Sequence, residues 1–416
     1  MKKLLITGGV PLHGEVSISG FKNAALPVLY ATVLTGDVSV IENLPRIRDV
    51  DATLRILQAI GAIVLFFDPH TVLIDTRGVT PCCSPDREVS ALRASSYLLG
   101  AELARFGRAR VATPGGCRIG ARPLDIHCAV LRALGAEVRE EAGAITAVAS
   151  GLCGAEVTLP LPSVGATVNA ILAATLADGV THIVGAAREP HIVDLCRYLT
   201  ACGADIRGAG EGELCITGVS RLHGAKHTLM PDMIEAGTFL TAVGAAGGEI
   251  SLRGAVSEHL TALITPLRAM GVTVREEGDC LVAARQGLLF PFDLTAGPYP
   301  ALPTDMHPQL AALALFATAP SRLRDTVFPD RFLYARELRR MGGELIARDG
   351  GVTVYPSRPK GGRVRAVDLR AGAALAVAAL GARGRTVIRD ADTLARGYED
   401  IAGKLAALGA TVEARG

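Results

Sequence analysis

The chain has 416 residues, 49% of them hydrophobic, 20% charged and only 4% aromatic, with no Trp and a formal net charge of +2. That length exceeds what one core ordinarily serves, so two domains are expected, with cores of Ala, Leu, Val and Ile. The near-neutral balance argues against a nucleic-acid binder working through a broad basic surface, and no segment reads as a membrane span. The first nine residues lack an apolar core and a cleavage site for export. The nine Cys show neither metal spacing nor a CxxC pair, and Cys82 and Cys83 are adjacent. A reducing, cytoplasmic compartment is therefore expected, and neither a metal nor an organic cofactor is implied.

A strand, Lys3 to Thr7, opens the chain. An apolar helix over Asn23–Leu34 and a β-branched strand, Val38–Ile41, come next. A second helical run then ends at Ile60-Gly61-Ala62. This grammar recurs. Further apolar helices are expected near Ala94–Ala104, Ala166–Leu176, Ala236–Ala246, Gln309–Ala317 and Ala371–Leu380. Further helix-ending glycines are Gly135, Gly203, Gly271, Gly342 and Gly409, roughly 70 positions apart along the whole chain. Each such Gly is expected to take a left-handed conformation that ends one helix before a strand. The other helices are apolar nearly all round, which predicts burial at a domain centre. The sequence thus reads as an α/β protein of six β-α-β-β-α-β-like units, three per domain. The expected domains are 21–229 and 1–20 plus 230–416, with the first strand pairing into the second domain.

The residues that open the six apolar helices are polar: Lys22-Asn23, Arg93, Ser163 with Thr167, Asp232 with Glu235, Thr304-Asp305, and Asp368 with Arg370. Ser163, Asp232, Thr304 and Asp368 suit helix caps. Capping does not account for Lys22, Arg93 or Arg370, because a cation at a helix N-terminus opposes the helix dipole. A bound anion reverses that sign, so the set points to an anion site. The segment Thr113–Asp125 adds a Gly- and Pro-rich loop carrying Cys117 between Arg118 and Arg122. A thiol there is poised between the effect of the cations and that of a bound phosphate, which suits proton transfer.

Several stretches carry a resemblance: Phe21–Pro27, the 114–125 loop, Ser163–Thr167, Ala187–Pro190, Pro303–Met306, Asp368–Arg370 and Arg396–Tyr398. Together they resemble the UDP-N-acetylglucosamine 1-carboxyvinyltransferase family of enolpyruvyl transferases, over residues 1 to about 412. The resemblance implies a two-domain inverse α/β barrel, helices inside and sheets outside, with the active site in the cleft between domains. It implies phosphoenolpyruvate and UDP-N-acetylglucosamine as substrates, phosphate as a product, and a role in making peptidoglycan precursors. Lys22, Asn23, Arg122, Arg331, Arg370 and Arg396 match phosphoenolpyruvate contacts. Arg93, Arg122, Pro123, Leu124, Asp125, Ser163, Val164, Gly165, Asp305 and Val327 match contacts to the nucleotide sugar. The catalytic set it implies is Cys117, Asp305, Lys22 and Arg396: Asp305 would accept the proton of the attacking sugar hydroxyl, and Cys117 would protonate the enol methylene. The cations would stabilise the phosphate that leaves, and the loop would close over the site.

Five positions depart from the family's pattern: Leu161 and Met233 where basic residues are common, Gly185 for Asn, His191 for an acidic residue, and Gly372 for Ser. These leave two alternatives open. One is another acceptor such as shikimate 3-phosphate; the other is a non-catalytic paralogue that binds the nucleotide sugar.

Overall fold

A computed structural model of the chain describes residues 2–113, 123–141, 143–328 and 330–416. In chain order, β1 (Lys3–Gly8) and β2 (Leu12–Ser17) precede α1 (Lys22–Thr35), β3 (Val38–Glu42), α2 (Arg48–Ala59), β4 (Ile63–Asp68) and β5 (Thr71–Asp75). The next stretch holds α3 (Asp86–Ala91), a 3-10 turn over Arg93–Ser96, α4 (Tyr97–Phe106), β6 (Arg108–Ala112), α5 (Asp125–Ala133), β7 (Glu137–Glu141) and β8 (Ala144–Val148). After it come β9 (Glu156–Thr158), α6 (Val164–Ala174), β10 (Val180–Val184), α7 (Pro190–Ala201), β11 (Asp205–Arg207), β12 (Glu213–Thr217) and β13 (Lys226–Thr228). The remainder contains α8 (Met233–Ala246), β14 (Gly248–Arg253), α9 (Thr261–Ala269), β15 (Thr273–Glu277), β16 (Cys280–Arg285) and β17 (Asp293–Ala296). It continues with α10 (His307–Ala314), β18 (Ser321–Asp325), α11 (Leu333–Arg340), β19 (Glu344–Arg348) and β20 (Gly351–Tyr355). It ends with β21 (Arg363–Arg365), α12 (Leu369–Gly381), β22 (Gly384–Arg389), α13 (Ile401–Ala407) and β23 (Thr411–Arg415).

Two compact units result, one of residues 20–230 and one of residues 2–19 with 231–416, taken over the described positions. Each is built alike. In the first, α1, α4 and α6 pack on one another; in the second, α8, α10 and α12 do. The sequence explains their place: α6, α8 and α12 offer Ala, Leu, Val and Gly on every side, and they are buried along nearly their whole length. Small residues let the helices approach closely. A Cβ added at Gly100 of α4 would lie 2.7 Å from Asn169 Oδ1 and 2.9 Å from its carbonyl oxygen on α6.

Three sheets accompany each helix trio: β13-β3-β5-β4, β6-β8-β7 and β11-β12-β10-β9 in the first unit, and β15-β16-β14-β2, β17-β18-β20-β19 and β21-β22-β1-β23 in the second. Helices inside and sheets outside make each unit the inverse α/β arrangement. β1 lies inside its sheet, antiparallel to both β22 and β23. The expected glycines Gly61, Gly135, Gly203, Gly271, Gly342 and Gly409 all have φ between 81° and 107°, each ending an amphipathic helix before an edge strand. One detail differs from the expected order. The two paired strands follow the second helix of a unit as a hairpin, as β4 and β5 do after α2, instead of lying between its helices. The amphipathic helix crosses over first, and a short turn such as Pro69-His70 can only join strands that are antiparallel neighbours.

Candidate functional site

Three of the four expected caps form. Asp232 Oδ1 accepts from the backbone N–H of Ile234 (2.7 Å) and Glu235 (3.0 Å), and Asp368 Oδ1 from Arg370 (2.8 Å) and Ala371 (2.9 Å). Ser163 Oγ accepts from Ala166 at 3.4 Å. Thr304 does not cap. Its hydroxyl donates to Asp325 Oδ2 and accepts from Arg331 Nη1 at 3.2 Å. A buried carboxylate and a buried guanidinium compete for that hydroxyl, and charge-assisted bonds outrank a neutral cap.

In the second unit the geometry centres on Asp305, in the 3-10 turn that leads into α10. Its Oδ1 accepts from Arg331 Nη1 at 2.8 Å, and its Oδ2 from Arg370 Nη2 at 2.8 Å and Nε at 3.0 Å. Both arginine side chains are at most 5% exposed, whereas the carboxylate is 26% exposed. Burial alone would favour a neutral Arg370, but the charges of Asp305, Tyr398 and Asp232 outweigh it and hold its pKa above the ordinary value. Arg370 also donates to the Tyr398 hydroxyl at 3.2 Å, which lies 2.9 Å from Thr238 Oγ1 and 3.4 Å from Gln309 Nε2. Val327 is half-exposed, and its N–H donates to Asp325 Oδ1 at 2.9 Å. Arg396 is half-buried at the end of a 3-10 turn, two residues before Tyr398.

Beside these groups, Asp232 is pushed up to about 7 by burial, with Arg370 opposing the shift. Glu235 is also raised by burial, against the pull of Lys404, whose Nζ stands 2.8 Å from Glu235 Oε1. Met233, buried at the start of α8, brings no charge to this pair.

In the first unit, Lys22 is the first residue of α1, and its Nζ stands 3.3 Å from Asp49 Oδ2 in α2, both side chains largely buried. Asn23 is half-buried beside it. A second cluster joins three segments. Arg93 Nη2 donates to the Pro123 carbonyl at 3.1 Å, and Leu124 and Asp125 then start α5. Packing of α5 on α6 brings Ser163, Val164 and Gly165 alongside. That packing needs Gly165, because an added Cβ would lie 2.7 Å from the His127 ring. It is pinned by His127 Nδ1 against Asn169 Nδ2 at 2.8 Å. Cys117, Arg118 and Arg122 lie outside the described residues.

Reasoning from the first helix of each unit overlooked Asp49 and Asp325. Asp49 sits in the first turn of a second helix and Asp325 ends a strand, and neither leaves a local mark of its partner. Among the five departures, Leu161 is 55% exposed, and His191 is buried with its ring edge-on to Phe21. Gly185 has φ +77° with the Leu159 carbonyl 2.8 Å from an added Cβ, a backbone state that Asn also tolerates. Gly372 packs against Leu394 and Ala366. Among the described residues no group of three or more His, Cys, Asp or Glu could hold a metal, and no helix is long and apolar enough to cross a membrane.

The family model described as EPSP synthase (3-phosphoshikimate 1-carboxyvinyltransferase) matches residues 6–405. The chain is 44% identical over 418 residues to a UDP-N-acetylglucosamine 1-carboxyvinyltransferase of Nitratidesulfovibrio vulgaris, and 42% identical over 412 residues to that of Halothermothrix orenii, covering 99% of both chains each time. It belongs to the UDP-N-acetylglucosamine 1-carboxyvinyltransferase family. Among solved structures, this enolpyruvyl transferase chain is similar to the enolpyruvyl transferase NikO from Streptomyces tendae, with TM-score 0.90 and 29% identity over 99% of this chain and 98% of that one. EPSP synthase from Acinetobacter baumannii, at 19% identity and TM-score 0.74 over the full length of both chains, shares the fold. Family membership turns the carboxylate–arginine cluster and the helix-start cations into candidates for anionic substrates.

Proposed function

We propose that the chain transfers the enolpyruvyl group of phosphoenolpyruvate to the 3-hydroxyl of UDP-N-acetylglucosamine, releasing phosphate, in the synthesis of peptidoglycan precursors. The observation that carries this is full-length similarity, 42–44% over 99% of both chains, to relatives that bear that acceptor in their name.

The reading assigns Lys22, Asn23, Arg122, Arg331, Arg370 and Arg396 to phosphoenolpyruvate. Arg93, Arg122, Pro123, Leu124, Asp125, Ser163, Val164, Gly165, Asp305 and Val327 go to the nucleotide sugar. It is supported by the way Arg93 is tied to Pro123 and α5 packs on α6, which brings two helix N-termini together in an arrangement suited to a diphosphate. It is also supported by Asp305, a partly exposed carboxylate fixed by two buried arginines. In the reaction the sugar hydroxyl displaces one arginine from Asp305, gives its proton to that carboxylate and attacks C2 of the enol. The Cys117 thiol protonates the methylene. The tetrahedral adduct then returns a methyl proton to the Cys117 thiolate and expels phosphate, which carries off the proton held by Asp305, and the enol double bond re-forms on the sugar. Cations around the leaving group carry most of the stabilisation, and removal of one such contact typically costs about 10²–10³ in rate. A cytoplasmic setting, a part in cell shape and division, and inactivation at Cys117 by thiol-alkylating phosphonate epoxides of the fosfomycin type belong to the same reading.

The test is phosphate release from phosphoenolpyruvate with UDP-N-acetylglucosamine or shikimate 3-phosphate as acceptor, beside an Asp305→Ala control. Release that needs the nucleotide sugar and is lost in the control is the expected result. Release driven by shikimate 3-phosphate overturns the acceptor. No release from folded protein, with the nucleotide sugar still binding, makes the chain a binding paralogue.

A further inference from the structure

The six repeats offer an internal comparison. Each helix-ending glycine is followed by one strand, and all six of these strands, β4, β7, β11, β15, β19 and β23, are edges of their sheets. Edge strands expose unpaired backbone groups, and proteins commonly protect them with charge. Five do so here. At alternate positions β7 carries Glu137, Arg139 and Glu141; β15 carries Thr273, Arg275 and Glu277; β23 carries Thr411, Glu413 and Arg415. β11 has Asp205 and Arg207, and β19 has Glu344 and Arg348 on either side of Ile346. Several are laced by ion pairs, such as Arg139 to Glu137 at 2.6 Å and Arg275 to Glu277 at 2.5 Å.

β4 is the exception. Its corresponding residues are Ile63, Leu65 and Phe67, exposed by 56%, 54% and 65%. Leu65 stands beside Leu73 of β5, which extends the apolar surface into the sheet. Phe66 is accounted for within the chain, since the Arg46 guanidinium sits 5.1 Å from its ring centre. Burying nothing with these three side chains forfeits several kcal/mol that charged residues would not, and they sit on the element most prone to pair with another strand.

We propose that the β4 edge is the contact between two copies of this chain, paired antiparallel about a two-fold axis. Such pairing is self-complementary, since the same patch serves both copies. Centred on Val64, it sets Ile63 of each copy opposite Leu65 of the other and joins two four-stranded sheets into one. The irregularity between Phe66 and Asp68 then falls beyond the paired segment, where it does not interrupt the ladder. Three side chains more than half exposed, with their backbone, amount to a patch on the order of 400–500 Å² per copy. Two copies bury at most roughly 800–1,000 Å², the range of a weak, transient contact and below that of a stable interface. The contact is therefore a modest one that forms at high protein concentration.

Sedimentation velocity of the full chain over concentrations on the order of 1–100 μM reads this directly. The mass is expected to rise toward twice the 43.2 kDa of one chain. A Leu65→Arg/Phe67→Glu variant, which restores the charges that β7 carries at the matching places, should stay at the single-chain mass with unchanged circular dichroism and turnover. Leu288→Arg, at an apolar residue 69% exposed elsewhere, should associate like the parent. A parent chain that stays monomeric throughout overturns the proposal and leaves the edge to a different protein. So does a double variant that keeps the doubled mass.

Discussion

Replacing Asp305 by Asn removes one charge from a site where two guanidiniums, each at most 5% exposed, share it. The amide keeps one acceptor oxygen and turns an NH₂ group toward the other arginine, donor against donor. Breaking a buried ion pair by removing one partner costs about 3–5 kcal/mol, because a buried charge is left without compensation. The carboxylate is 26% exposed, so water takes up part of the deficit, and the lower end, about 3 kcal/mol, is appropriate. For a unit of this size that corresponds to a fall in Tm of roughly 6–12 °C. Calorimetry in a phosphate-free buffer measures it. The two uncompensated cations also form an anion site, so added phosphate should raise the Tm of Asp305→Asn more than that of the parent. Saturation at 100-fold above Kd recovers about 2.7 kcal/mol. A variant whose Tm matches the parent, or gains no more than the parent from phosphate, would refute the view that this carboxylate holds the arginine pair.

Three further outcomes follow from the geometry. Glu102 is buried in α4 with Oε2 accepting from the Cys82 N–H at 3.0 Å, and burial raises its carboxyl from 4.5 to about 7. Its contribution to stability is complete below pH 4.5 and is lost as pH rises through 7. Glu102→Gln should match the parent at pH 4.5 and exceed it by on the order of 2–3 kcal/mol at pH 8, by urea unfolding. Gly100→Ala should cost about 1–3 kcal/mol, because the new methyl meets Asn169 on α6 below contact distance, and a fall in the urea midpoint checks it. Cys117→Asp should keep turnover and escape inactivation by a phosphonate epoxide; equal sensitivity to the reagent would remove Cys117 as its target.

Much of the fold was legible because the repeat writes its signals locally. A helix that must stop before an edge strand takes Gly, and the six glycines mark the six units directly. A helix surrounded by other elements can be apolar on every side, so burial showed in composition. Asp232, Asp368 and Ser163 could be read as caps because a cap is satisfied within three residues. Thr304 could not, since its hydroxyl is taken by Asp325 and Arg331, more than twenty residues away. Asp49 escaped for a related reason: it meets Lys22 from a different helix, and nothing near either residue predicts the pairing. The order of strands within a unit was misplaced because alternation tells strand from helix but not which strands share a turn. The roles of Cys117 and Arg122 came from resemblance, and both residues lie outside the described positions.

The placing of β1 between β22 and β23 bears on how the chain is made. The Lys2 N–H reaches the Arg415 carbonyl at 2.8 Å, so β1 is synthesised long before β23, its neighbour in the sheet. Residues 20–230 are meanwhile synthesised whole, as an insert within the other unit, and can fold while β1 and β2 have no partners. Premature termination before β22 would therefore leave a formed first unit tethered to an orphan strand, a species suited to aggregation or to proteolysis. Because β1 and β23 are neighbours in one sheet, a short linker could join Arg415 to Lys2, and the chain could be opened instead in an exposed turn such as Asp349-Gly350 without losing a strand. In such a permuted chain β1 would be made directly after β23, removing the long wait that the natural order imposes.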